Sequence, residues 1–240
     1  MKFYKPKFWD KRGRISLISI LLFPISLIII IKNYYEDNKP KKNYYDFRTI
    51  CVGNIYIGGT GKTPLVNNLT SHLKKKNKTF IIKKNYFSHE DEKKMLESKH
   101  NVIFEKTREE SLLKAEQEKA KIVIFDDGLQ EKTINYDLKI VCFNSLKLDG
   151  NGHVIPAGPL REKLISLKNY DVVLINGSTN KETKKFIDKI KNINPNLKIF
   201  MGKYVPKNFT NLKKKKFLAF SGIGNPHTFF DTLKSLKIKL

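Results

Sequence analysis

The sequence predicts an α/β fold, a mostly parallel sheet with flanking helices. Three observations carry this. Residues 51–64 (Cys51-Val52-Gly53-Asn54-Ile55-Tyr56-Ile57-Gly58-Gly59-Thr60-Gly61-Lys62-Thr63-Pro64) pass from an apolar strand through a glycine turn into a helix start. A second apolar run, Ile122 to Phe125, ends on Asp126 and Asp127, the pattern of a strand buried on both faces with its acids at the carboxyl end. Short strands of this kind alternate with helical patterns along the 240 residues, as βαβ units do.

Taken in order, a basic segment with Phe3, Tyr4, Phe8 and Trp9 leads into an uncharged run from Ile15 to Ile31. At about 17 residues that run lies at the short end for a bilayer span, and it holds Pro24 and three serines. Its basic and aromatic flanks suit a helix anchored at or in a membrane from the side that carries anionic lipid. A buried core helix is the alternative, and it would need cover on every side. Asn33 to Arg48 is polar and reads as a linker. The expected organisation is therefore an anchoring helix and linker over 1–48, a phosphate-handling domain over 49–200, and the start of a second α/β subdomain over 201–240.

Strands are expected at 49–57, 79–82, 101–105, 121–126, 138–143, 172–175, 197–205 and 217–220. The expected helices run from Pro64 to about Lys76, from near Thr107 (Thr107-Arg108-Glu109-Glu110 fits a capping box), from Lys181 to about Asn192, and onward from Pro226. Glu90-Asp91-Glu92 reads, on composition alone, as a solvated loop or a helix start.

The glycine turn has a phosphate cradle's chemistry. Around Thr60, the glycines at 58, 59 and 61 let backbone N–H groups face an anion, Lys62 supplies a point charge, the Thr63 hydroxyl can reach magnesium, and Pro64 sits where a helix needs no N–H. The strict pattern G-x-x-x-x-G-K-[ST] would put glycine at 56, where this chain has Tyr56. A plain strand-to-helix turn is the bland alternative, but Gly-Lys-Thr directly after a strand outweighs it. The domain is thus expected to be P-loop NTPase-like.

Asp126 and Asp127 close their strand at the sheet edge where open α/β proteins bind ligands, and an acid there can hold magnesium directly or through water. An ordinary Asp-Asp-Gly turn is the competing reading. The long loop from Asp149 to Glu162 packs glycine and proline around Arg161, whose guanidinium can clamp phosphate bidentately. A structural loop with a surface arginine is its alternative.

The formal net charge of +24 calls for an anionic partner: nucleic acid, an anionic bilayer or a phosphorylated substrate. The chain has no recognition module, zinc spacing or interleaved stacking aromatics, so no nucleic acid is expected. Cys51 and Cys142, both inside apolar runs, suggest core side chains in a reducing compartment.

Together these segments resemble the tetraacyldisaccharide 4′-kinase (lipid A 4′-kinase) family. The resemblance rests on Val52-Gly53-Asn54 with Gly58 to Pro64, on Asp126-Asp127-Gly128-Leu129-Gln130, on Gly150-Asn151-Gly152 through Pro156-Ala157-Gly158-Pro159-Leu160-Arg161-Glu162, and on Gly222-Ile223-Gly224-Asn225-Pro226. It implies an enzyme that moves the γ-phosphoryl group of ATP, with Mg2+, to the 4′-hydroxyl of a tetraacylated glucosamine disaccharide 1-phosphate at the cytoplasmic face of the inner membrane. It also implies roles for single residues. Lys62, Asp91, Asp127 and Arg161 are the expected catalytic residues, and Thr63, Asp126, Glu92 and Glu162 the expected metal set. Gly58, Gly59, Thr60, Gly61, Lys62 and Thr63 would hold the nucleotide. Asp91-Glu92 matches the family's Asp-Glu pair, whose Asp orients the acceptor hydroxyl. The chain departs from the family at Lys84-Asn85-Tyr86-Phe87, in place of Arg-Gly-Tyr-Gly, and at Glu131, in place of histidine. The family's Asp-His-His segment falls beyond Leu240, so the chain reads as a C-terminally shortened member. The alternative is a degenerate, non-catalytic homologue that binds nucleotide and anionic membrane.

Overall fold

Strands with apolar residues at successive positions need cover on both faces, and the chain provides it. The computed structural model describes residues 5–13, 16–41, 45–84, 90–205, 217–221 and 226–238, without the side chains of 90–93, 226–228 and 235. Seven strands, β1 (Arg48–Gly53), β2 (Thr79–Lys83), β3 (Asn101–Ile103), β4 (Ile122–Asp126), β5 (Leu138–Asn144), β6 (Val172–Asn176) and β7 (Lys198–Gly202), form one parallel sheet in the order β3-β2-β4-β1-β5-β6-β7.

Alternation along each strand feeds two cores. Cys51, Ile82, Val123 and Phe125 face one side with Leu112 and Ala115 of α4 (Arg108–Gln117) and Phe186 and Ile190 of α5 (Lys181–Ile193). Val52, Ile81 and Ile124 face the other, with Val66 of α2 (Lys62–Leu73) and Leu96 of α3 (Glu90–Glu97). The capping box at Thr107 is formed in both directions and starts α4. Both cysteines are free and buried, and burial pushes each thiol up to about 12.

The chain leaves β1 for β2 and β3 on one side, returns to β4 beside β1, then crosses to β5, β6 and β7. This reversal sets the carboxyl ends of β1 and β4 side by side at the centre of the sheet, the place where such folds bind ligands.

Some expected boundaries shift. The first strand stops at Gly53 rather than Ile57, because Asn54 turns the chain and its amide donates to the carbonyls of Tyr56 (2.6 Å) and Gly58 (3.1 Å). Residues 217–220 hold no strand: Leu218 and Phe220 are exposed, and no paired strand lies beside them among the described residues. Helix α6 (Pro226–Ser235) follows, while Gly222 to Asn225 of the expected motif lie outside the described residues.

Helix α1 (Leu17–Asp37) is inside-out relative to a soluble amphipathic helix. Its buried residues are Ser19 and Ser26, whereas Leu17, Leu21, Ile28 and Tyr34 are exposed. Ser19, Ser26 and Asn33 recur every seven residues and so share one face. That face docks on the 149–162 loop. Ser19 Oγ donates to Ala157 O (2.9 Å), Ser26 Oγ to Val154 O (2.8 Å) and Asn33 Nδ2 to Arg161 O (2.9 Å). Ile29 and Ile30 pack on Tyr56, Val154 and Leu160. With a mean hydropathy of 2.1 over a window that is 11% buried, the helix is long and apolar enough to cross a membrane, yet one of its faces belongs to the protein.

Candidate active site

Gly58 and Gly61 adopt positive φ (117° and 87°), which side-chain-bearing residues rarely do. A side chain at Gly61 would also strike the Tyr204 hydroxyl and the Asn176 amide. Asn176, at the end of β6, donates to Thr60 O at 2.6 Å and so ties the turn to the sheet. Tyr56, standing where the strict motif has glycine, is a core residue. It bridges to Leu160, and its hydroxyl donates to Asp10 at 2.6 Å and accepts from Lys5. The loop is therefore braced by a second loop where the strict motif uses a free glycine.

Behind the turn, α2 presents Lys62 and Thr63 to the two acids at the end of β4. Thr63 Oγ1 donates to Asp126 Oδ2 at 3.2 Å, and Lys62 Nζ lies 3.5 Å from Asp127 Oδ2. Burial lowers the Lys62 ammonium from its ordinary range, against the pull of Asp127. Asp127 has a left-handed backbone (φ 66°), an uncommon conformation for a residue with a side chain. It is held by its N–H to Val52 O (2.8 Å) and by Arg108, which donates to its carbonyl at 2.7 Å. Arg161 Nη1 reaches Asp127 Oδ1 and Gln130 Oε1, both at 2.8 Å. Five expected residues thus converge: Lys62, Thr63, Asp126, Asp127 and Arg161.

Glu162 is placed differently. Arg161 enters the site, whereas Glu162, at a bend of the chain, turns into a buried pocket. There its Oε1 accepts from Tyr170 (2.7 Å) and Gln130 (3.4 Å), and its Oε2 pairs with Lys132 (3.0 Å). Lys132 also pairs with Asp37 at the end of α1 (3.1 Å). Burial alone would lower Lys132, but Glu162 and Asp37 hold it above its ordinary value. Gln130 touches both groups, accepting from Arg161 and donating to Glu162, and its amide also donates to Asn54 O at 3.2 Å. Asp91 and Glu92 fall on α3, and their side chains lie outside the described residues.

Among the described residues no three acidic, histidine or cysteine side chains cluster as a metal cage. That suits magnesium, which is usually bound through one or two carboxylates together with substrate phosphates. The Thr63 hydroxyl and the Asp126 carboxylate form an all-oxygen donor set of the right kind.

Sequence reasoning missed Lys83, Gln130, Arg108 and Asn176. Lys83 ends β2 in register with Asp126, and its ammonium bonds Asp126 Oδ2 at 2.9 Å. Its signal lay in strand order, because β2 and β4 are adjacent in the sheet but far apart in the chain.

The model of the family described as tetraacyldisaccharide-1-P 4′-kinase matches residues 17–240. A tetraacyldisaccharide 4′-kinase of Pelagibacter ubique is 47% identical over 244 residues, covering 100% of this chain and 76% of that protein. One from Rickettsia akari is 37% identical over 260 residues, covering 100% and 77%. Among solved structures, LpxK from Aquifex aeolicus, crystallised in complex with ATP, superposes with a TM-score of 0.70 at 23% identity over 93% of this chain and 80% of that one.

Proposed function

This chain belongs to the tetraacyldisaccharide-1-P 4′-kinase family, and from that premise we propose how its residues divide the work. The reaction is that of a lipid kinase: a phosphoryl group passes to the 4′-hydroxyl of a tetraacylated disaccharide 1-phosphate in lipid A biosynthesis. Membership alongside named kinases favours this over a non-catalytic nucleotide binder. ATP is the donor, a reading supported by the ATP-bound relative of the same fold.

Phosphoryl transfer asks a protein for charge neutralisation and alignment more than for covalent chemistry. The turn from Gly58 to Thr63 wraps the donor phosphates with backbone N–H groups, and Lys62 neutralises the oxygens nearest the transferred group. Arg161 reaches the same phosphate from the opposite wall, while Asp127 holds both cations in reach before the anion arrives. Thr63 and Asp126 would hold magnesium, which would supply charge neutralisation for the donor phosphates. Asp91 orients the acceptor hydroxyl and takes its proton, with Glu92 beside it. Glu162 acts at one remove, through Gln130, on the position of Arg161.

The exposed apolar face of α1 lies in the cytoplasmic leaflet of the inner membrane, where the excess of Lys and Arg meets anionic headgroups. In this reading 1–48 is the anchor, 49–200 the transfer domain and 201–240 the start of a second unit.

The observation that carries the assignment is the meeting of Lys62, Thr63, Asp126, Asp127 and Arg161 at one sheet edge. The test is transfer of label from γ-labelled ATP to the disaccharide 1-phosphate. Product formation that is lost in Lys62→Ala supports it; equal rates in both proteins refute it. The Asp91 role predicts a loss of kcat in Asp91→Ala with nucleotide binding retained.

A further inference from the structure

The proposed chemistry leaves one cation unused. Lys83 is largely buried, with 12% of its side chain exposed, and its ammonium sits 2.9 Å from Oδ2 of Asp126, whose own side chain is 2% exposed. The same oxygen accepts the Thr63 hydroxyl at 3.2 Å. The position is built into the fold: Lys83 and Asp126 are register partners at the carboxyl ends of adjacent parallel strands, so the backbone holds the two side chains within reach of each other while the lysine head group keeps its rotamer freedom. A monovalent cation thus shares the carboxylate oxygen assigned above to a divalent one.

We propose that Lys83 is a positioning residue that sets the divalent-metal affinity of the site by competing for Asp126. An ammonium and a metal ion cannot both take the same oxygen at full strength, because like charges a few ångströms apart in a poorly solvated pocket repel strongly. Metal binding therefore requires the ammonium to move off Asp126 toward the nearby phosphate oxygens, where it adds a further positive charge to the donor. In the absence of metal, the same ammonium neutralises a carboxylate that would otherwise be buried and unpaired. One lysine thereby links two properties: it weakens metal binding and it stabilises the metal-free protein. The inference rests on the phosphoryl-transfer reading of this site.

The test needs no lipid acceptor. Manganese(II) is titrated into the full chain with a saturating non-hydrolysable ATP analogue, and bound metal is read from its paramagnetic resonance. Lys83→Gln, which keeps a hydrogen-bonding head on a side chain one bond shorter but loses the charge, should bind manganese about tenfold more tightly than the parent, within the range of effects for groups around a metal's ligands. In EDTA the same variant should melt about 5 °C lower, as expected for a buried carboxylate that has lost its partner. Lys83→Arg should resemble the parent in both. The double variant Lys83→Gln with Asp126→Asn should regain metal-free stability and lose the tight metal site, which separates loss of charge from misfolding. Manganese affinity unchanged or weaker in Lys83→Gln overturns the inference while leaving the kinase reading intact. If neither protein binds manganese with the nucleotide analogue, both fail.

Discussion

The site has two halves, and they are held in opposite ways. Lys62, Thr63, Lys83, Asp126 and Asp127 stand at the carboxyl ends of β2 and β4 or on the helix that follows β1. They are fixed by strand register over an apolar interior on both faces. Arg161 and Glu162 stand on a glycine- and proline-rich loop with no ladder of its own. That loop is held by the polar stripe of α1, through Ser19, Ser26 and Asn33, and by Lys132, which bonds Glu162 and Asp37 together. In the first half apolar packing positions polar groups; in the second, polar contacts, with Ile29 and Ile30 beside them, position a helix most of whose apolar residues face outward. The difference teaches that Arg161 leans on α1 through the backbone of its own loop, whereas Lys83 and Asp126 are set by strand register.

Perturbing the sheet half should give the largest effect. On the proposed reaction, Lys62→Ala removes the charge that would neutralise the transferring phosphate and should lower kcat/KM about 10³-fold, while the melting temperature stays close to the parent's. Steady-state kinetics beside a thermal melt checks both. A large drop in melting temperature would mean that this lysine holds the fold as well.

The second-largest effect belongs to the loop half and concerns stability. Lys132→Met leaves Glu162 buried without its cation and should cost about 3 kcal/mol by denaturant unfolding. Unfolding at the parent's midpoint would break the claim that this pair pins the loop. Arg161→Ala, next in size, should cost about 10²-fold in kcat without a matching loss of stability.

Raising pH should separate the halves. Burial lowers Lys62, so its charge is lost below the ordinary lysine value of 10.5, and kcat/KM should decline on an alkaline limb in that range. Lys132 is raised, so its contribution to stability is fully present below 10.5 and is lost only as pH climbs through its higher folded value. Activity should therefore fail before the fold does. Coincident loss of activity and of native circular dichroism would contradict this.

Much of the sheet half was legible. Alternation and uninterrupted apolar runs placed all seven strands, and the Gly-Lys-Thr turn and the Asp-Asp strand end are local patterns. The eighth expected strand, at 217–220, failed because four apolar residues make a strand only with a partner to pair with. Lys83 and Asn176 escaped notice because each acts across a strand order that no local window contains. The loop half was visible but misjudged: Ser19 and Ser26 looked like blemishes in an apolar segment, yet they are the residues that dock it. Their seven-residue spacing, extended to Asn33, was the available signal. Glu162 was expected among the metal ligands from the resemblance alone; Tyr170 and Lys132 instead hold it in a buried pocket that no local pattern announces.

Asn33 offers the most direct test of the two-half account, through a double-mutant cycle on phosphoryl transfer. Asn33→Ala removes one hydrogen bond to the backbone of Arg161, worth about 1 kcal/mol, so kcat should fall about fivefold with binding to anionic vesicles unchanged. In an Arg161→Ala background the same substitution should have no further effect, because its influence passes through that arginine. A full fivefold loss in both backgrounds would show that α1 and the arginine act independently and would contradict the account.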